Sequence, residues 1–199
     1  MVTNRTKAVA RTGDALIVVD VQNDFLPGGA LAVPKGDAVA PALNRYLAAW
    51  RARGAPVFAT RDWHPADHCS FQERGGPWPV HCVAGTRGAE FAPGLDLSND
   101  AVVASKGDSR DRDAYSGFDG TDLHERLQRA GIRRVFVGGL ATDYCVLATV
   151  NDAVRLGYAV YVLVDAIAAV NANPGDGQRA EAEMARAGAA TVRYEQLAS

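Results

Sequence analysis

The chain has 199 residues, 48% of them hydrophobic, and a net charge of −2. One domain of this length can bury a continuous core without disulfides or structural metals, and the charge balance offers no basic surface to neutralise phosphates, so nucleic acid is not an expected partner. Cys69, Cys82 and Cys145 are too few and too widely spaced for a disulfide framework and suit a reducing cytoplasm, while the apolar run 15–19 is too short for a signal peptide core or a membrane span.

A single domain over 1–199 is therefore expected, with residues 1–12 flexible and homo-oligomerisation allowed. The sequon Asn4-Arg5-Thr6 is read as a chance match in a chain without a secretory signal. In chain order, the first strand is expected at 15–20, where Leu16, Ile17, Val18 and Val19 are consecutively apolar. A helix follows with the stripe Val39, Leu43, Leu47 and Trp50, which Asp37 can cap and Gly54 can close. A strand at 56–60 leads into residues 61–100, a long stretch with several Pro and Gly and little periodicity. Loops of that length in a compact domain are usually functional. A strand at 101–105 precedes a helix on Leu123 and Leu127, with Thr121 as its cap and Gly131 at its end. A strand at 134–138 precedes the stripe Val146, Val150, Ala153 and Val154, closed by Gly157. A strand at 159–165, a helix at 178–187 closed by Gly188 and a strand at 191–194 complete the chain.

Strands alternating with helices imply parallel pairing through crossovers, and runs apolar at successive positions imply burial on both faces. The expected fold class is a three-layer α/β/α domain with a mostly parallel, six-stranded, Rossmann-like sheet. Ligands of such sheets sit outside the carboxyl ends of the strands. Asp20 ends the first strand, Asp62 and His64 follow the second, Lys106 and Asp108 follow the third, and Cys145 follows the fourth after a Gly-Gly-Leu-Ala-Thr turn. Four segments thus converge on one edge.

An isolated cysteine is more often a small buried hydrophobe than a nucleophile. Cys145, however, lies near the start of a helix opening around Thr142, where unpaired N–H groups and the helix dipole favour a thiolate and can hold an oxyanion. Gly138 and Gly139 would let the backbone approach a ligand. Asp20 could take the thiol proton and later hand one to a departing amine, with Lys106 holding that carboxylate in place. Asp62, His64, His68 and His81 supply carboxylate and imidazole donors for one divalent metal ion, which could be zinc, iron or manganese. Cys69 and Cys82, each adjacent to one of these histidines, are read as packed bystanders. No G-x-S-x-G elbow, P-loop, G-x-G-x-x-G turn or C-x-x-C pair occurs, which removes the main support for serine hydrolase, NTPase and nicotinamide oxidoreductase readings.

The stretches 17–29 (IVVDVQNDFLPGG), 60–71 (TRDWHPADHCSF), 78–86 (WPVHCVAGT), 106–107 (KG), 114–118 (AYSGF) and 137–146 (VGGLATDYCV) together resemble the nicotinamidase and pyrazinamidase branch of the isochorismatase-like cysteine hydrolases. The resemblance implies a catalytic triad of Asp20, Lys106 and Cys145. It also implies a non-prolyl cis peptide between Leu140 and Ala141, and an oxyanion hole from the N–H groups of Ala141 and Cys145. Its metal ligands match Asp62, His64 and His81, with His68 a ligand in some members, and its pocket positions match Phe25, Trp78, Tyr115 and Leu140. The implied reaction converts nicotinamide, and also pyrazinamide, to the acid and ammonia through a cysteine thioester, as a step in NAD salvage. In this reading the metal holds the pyridine nitrogen. Two alternatives stand beside it: a relative acting on a carbamoyl or ureido compound, and a metal-binding relative without turnover. Ammonia release from nicotinamide with and without a chelator separates the three.

Overall fold

The computed structural model describes residues 10–197. The sequon at Asn4 and most of the segment expected to be flexible lie outside them. Six strands form one sheet: β1 (Asp14–Val19), β2 (Val57–Asp62), β3 (Val102–Lys106), β4 (Arg134–Leu140), β5 (Ala159–Ala168) and β6 (Ala190–Val192). Their order across the sheet is β3-β2-β1-β4-β5-β6, and every pairing is parallel. The order reverses between β1 and β4, so the chain leaves these two strands in opposite directions and opens a crevice at their carboxyl ends.

The helices are α1 (Val39–Arg51), α2 (Leu123–Arg129), α3 (Leu147–Arg155), α4 (Asp176–Ala187) and the short α5 (Tyr194–Leu197). Alternate residues of β1 explain the layers. Leu16 and Val18 pack with Leu43, Tyr46, Leu47 and Trp50 of α1, whereas Ala15, Ile17 and Val19 pack with Leu123 and Leu127 of α2, Val150 of α3 and Met184 of α4. Because both faces of β1 are fully buried, Leu16→Ala would open a cavity costing about 2–5 kcal/mol.

Helix ends follow the expectation at Gly54, Gly131, Gly157 and Gly188, all left-handed. Thr121 accepts a 3.2 Å bond from the Leu123 N–H at the start of α2. Asp37 caps nothing, because it lies inside a 3-10 turn (Gly36–Ala38) that leads directly into α1. The long stretch after β2 is organised by short 3-10 turns at Gln72–Arg74 and Arg87–Ala89 and by bridges pairing His64 with Val83 and Phe71 with Trp78.

β5 outruns its partner. Its register with β4 jumps between Val137 and Gly139, from Val137 opposite Val162 to Gly139 opposite Ile167, so its far end runs beside Leu140. Gly139 sits at φ 135°, and a Cβ there would run into the backbone carbonyl of Val19. Gly138 is likewise hemmed in by Leu43, Leu163 and the carbonyl of Ala166. These two glycines serve strand packing rather than the ligand approach expected from sequence.

Candidate active site

Asp20 follows β1 in a left-handed conformation (φ 49°), one that aspartate tolerates better than most residues and that turns the chain sharply out of the strand. Its side chain is completely buried. One carboxylate oxygen accepts a 2.6 Å bond from the Thr60 hydroxyl. The other lies 3.0 Å from the Lys106 ammonium.

Lys106, the last residue of β3, is also fully buried. Its ammonium pairs closely with Asp62 and donates to the Ala114 carbonyl at 3.2 Å and to Cys145 Sγ at 3.5 Å. One cation therefore joins two carboxylates and the sulfur. Ligand-capable atoms of Asp20, Asp62 and Cys145 all lie within 4.8 Å of one another.

Burial sets the ionisation of this cluster. It pushes the Asp20 carboxyl up, against the pull of Lys106, and it pushes the Cys145 thiol well up. Burial also opposes the charges on Asp62 and Lys106, yet their attraction prevails, holding the Asp62 carboxyl below and the Lys106 ammonium well above their ordinary values. Burial therefore favours the protonated forms of Cys145 and Asp20.

Cys145 lies in a π-helical turn (Thr142–Val146) that precedes α3, where a regular first turn was expected. The wider turn is closed by the Val146 N–H, which reaches back five residues to the Ala141 carbonyl at 3.1 Å. The Leu140–Ala141 peptide is cis.

Asp62, His64 and His81 form the second buried cluster, with their ligand atoms within 4.8 Å of one another. His64 Nδ1 bonds the Gly107 carbonyl at 2.7 Å and His81 Nδ1 bonds the Pro79 carbonyl at 2.8 Å. Each carbonyl takes the Nδ1 proton and leaves Nε2 with a free lone pair, the arrangement of a metal-ligating imidazole. His64 Nε2 lies 3.7 Å from Asp62 Oδ2. Burial opposes charge on both rings; it lowers His81, while neighbouring Asp62 reverses the balance for His64 and raises it. The donor set fits a divalent ion.

His68 does not join these three. Its Nδ1 is engaged by the Ser70 hydroxyl at 2.8 Å and its Nε2 by the Arg112 carbonyl at 3.1 Å, and its ring stacks on His64 with centroids 4.1 Å apart. Cys69 and Cys82 also lie outside the cluster; the Cys82 N–H donates to Asp24 at 2.7 Å and its carbonyl accepts from the His64 N–H.

Cys145 of the first cluster and Asp62 and His81 of the second open onto one cleft. Phe25, Trp78 and Tyr115 line it as expected, beside Asp62, His81, Ala141 and Cys145. Leu140 does not line it: its side chain is fully buried in the core beneath. Sequence reasoning missed the lining residues Leu31, Val33, Tyr144 and Val170. It also missed Gln22, whose buried amide donates to the carbonyls of Asp62 and Ala89 and accepts from the Asp62 N–H, all between 2.8 and 2.9 Å. The signal for Gln22 was a polar residue two places after Asp20 at a buried strand edge. Val170 carries no such signal.

The sequence profile of the isochorismatase domain matches residues 14–196. The chain belongs to that family. It is 42% identical over 196 residues to the nicotinamidase of Escherichia coli (strain K12), covering 88% of this chain and 92% of that protein. With the nicotinamidase/pyrazinamidase of Mycobacterium tuberculosis it is 48% identical over 167 residues, or 80% of this chain and 88% of that one. The crystal structure of the pyrazinamidase of Pyrococcus horikoshii in complex with zinc superposes with a TM-score of 0.88 at 51% identity, covering 91% of this chain and 99% of that one. The family's parallel α/β/α sheet is the one described above.

Proposed function

We propose that this chain is an amidohydrolase that converts nicotinamide to nicotinate and ammonia, accepts pyrazinamide, and acts as one catalytic domain in the NAD salvage of a reducing cytoplasm. The observation that carries the reading is the meeting of a buried Asp20–Lys106–Cys145 cluster and a buried Asp62–His64–His81 cluster on a single aromatic-walled cleft. Relatives at 42% and 48% identity with nicotinamidase activity in their names support it.

Asp20 takes the Cys145 proton as the sulfur bonds to the carboxamide carbon. The raised proton affinity of the buried Asp20 matches that task, since its base and acid forms must both be accessible. Charge developing on the carboxamide oxygen is met by the N–H groups of Ala141 and Cys145, which open the first helical turn. Asp20 then gives its proton to the nitrogen as the C–N bond breaks, and ammonia leaves. In the second half Asp20 takes a proton from water as its oxygen bonds to the thioester carbon, and returns that proton to the sulfur as the C–S bond breaks, giving the acid and the thiol. Lys106 stays charged throughout, holding Asp20 and facing the sulfur as its negative charge develops.

Two imidazoles and one carboxylate, with further positions open, suit zinc. Asp62, His64 and His81 would hold such an ion, which would supply Lewis-acid chemistry beside the ring. Phe25, Trp78 and Tyr115 give the ring its apolar walls. The test is ammonia release from nicotinamide by the full chain, with and without a chelator. Release that is lost on chelation and restored by zinc supports the reading. Release indifferent to the chelator points to a metal-independent amidase, and none under any condition to a non-catalytic relative.

A further inference from the structure

We propose that Asp143 is a positioning residue that fixes the width of the substrate cleft by clamping its Val170 wall to the turn carrying Cys145, and so favours unsubstituted ring amides over ring-substituted ones. The substrate class rests on the amidase reading above.

Asp143 stands in the π-helical turn, two residues before Cys145. Both of its carboxylate oxygens accept from the chain that follows β5: Oδ1 from the Val170 N–H at 2.9 Å and Oδ2 from the Asn171 N–H at 2.8 Å. Bonds from two successive amides to one ionised group fix orientation as well as distance, and they are stronger than neutral pairs. Asn171 is held from the other side too. It sits at φ 53°, and its side-chain oxygen accepts the Gly177 N–H at 2.9 Å in the first turn of α4. A Cβ at Gly177 would meet Ala169, so helix and segment are in close contact.

The segment held in this way lines the cleft. Val170 and Cys145 both face it, and the register jump in β5 is what brings the segment alongside the end of β4. The clamp carries the β4–β5 pairing, which ends at Leu140 and Ala168, on to Val170 and the turn that holds Cys145. Both oxygens of Asp143 are engaged with backbone, and it belongs to neither titratable cluster of the site, so its role is to place the wall, not to move a proton.

The test compares the wild-type chain, Asp143→Asn, Val170→Ala and the double variant, all zinc-loaded. It reads ammonia release from nicotinamide and 5-methylnicotinamide, and calorimetric binding of the corresponding acids. Asparagine places an N–H donor against one of the two backbone N–H groups. The expected result for Asp143→Asn is a rise in KM for nicotinamide of about tenfold, the scale of one charge-assisted hydrogen bond, exceeding any fall in kcat. The preference for the unsubstituted ring should shrink in both turnover and binding. Val170→Ala should shift the preference in the same direction, and the double variant should show less than the sum of the two shifts. Loss confined to kcat, an unchanged ring preference or additive shifts would overturn the proposal. Should Asp143→Asn fail to fold, Val170→Ala alone decides, and an unmoved preference overturns it. A wild-type chain that releases no ammonia from nicotinamide refutes the amidase reading instead, leaving the binding comparison to decide the role of Asp143.

Discussion

The two halves of the site are built by different means. On the triad side, Asp20 and Lys106 stand at or just beyond the ends of β1 and β3, where the hydrogen bonds of the sheet place them, and Cys145 sits in the hydrogen-bonded turn that follows β4. On the metal side, His64 and His81 lie in irregular chain between β2 and β3 and are held by individual polar contacts, to Gly107, Pro79, Val83 and the stacked ring of His68. A sheet supplies precision through many shared bonds. A loop must obtain it from a few, each of which matters more.

Asp62 is the hinge between the halves, since it ends β2, pairs with Lys106 and faces His64. Cys145→Ala should break the triad side alone. Ammonia release should fall by about 10⁴-fold or more, while zinc content, read by elemental analysis, stays at wild type; retained turnover would remove Cys145 as nucleophile. Lys106→Met should cost next most in stability, about 3–5 kcal/mol, because it leaves two buried carboxylates without their cation. Urea denaturation measures this, and a loss under 1 kcal/mol would show that the ammonium is not what permits the buried carboxylates.

Gln22→Leu should act mainly on the metal side. It leaves the Asp62 N–H and carbonyl and the Ala89 carbonyl unpartnered, at about 1–3 kcal/mol in stability and about 10- to 100-fold in zinc affinity. Competition with a fluorescent chelator reads the affinity, and an unshifted curve would mean that Asp62 needs no such support. Thr121→Ala sharpens the contrast from outside the site. It removes a hydroxyl that accepts from the Leu123 N–H and donates to the Gly117 carbonyl at the start of α2, for about 1 kcal/mol of stability, with zinc affinity unaltered.

The same division decided how much was legible in the sequence. Buried parallel strands announce themselves as apolar runs, so Leu16 to Val19 and Val160 to Val164 located the sheet, and the residues after each strand located the triad. Contacts between distant polar groups leave no period. Gln22 reaches Asp62 across forty positions, and the Arg112 carbonyl that occupies His68 lies forty-four positions away. Local geometry was equally silent where backbone, not residue type, decides: Asp37 is a good cap residue in a turn that needs none, and Leu140 points into the core although its neighbour Ala141 lines the cleft. Val170 reaches the site only through an irregular register in β5, which no composition rule signals.

The most direct test of the account is a crystal structure of the Cys145→Ala protein loaded with zinc and nicotinamide. The account predicts zinc on Asp62, His64 and His81, and nicotinamide in the cleft between Phe25 and Trp78 with its carboxamide turned to the site of the missing sulfur. Zinc held by other residues, or nicotinamide bound with its carboxamide away from that site, would contradict it.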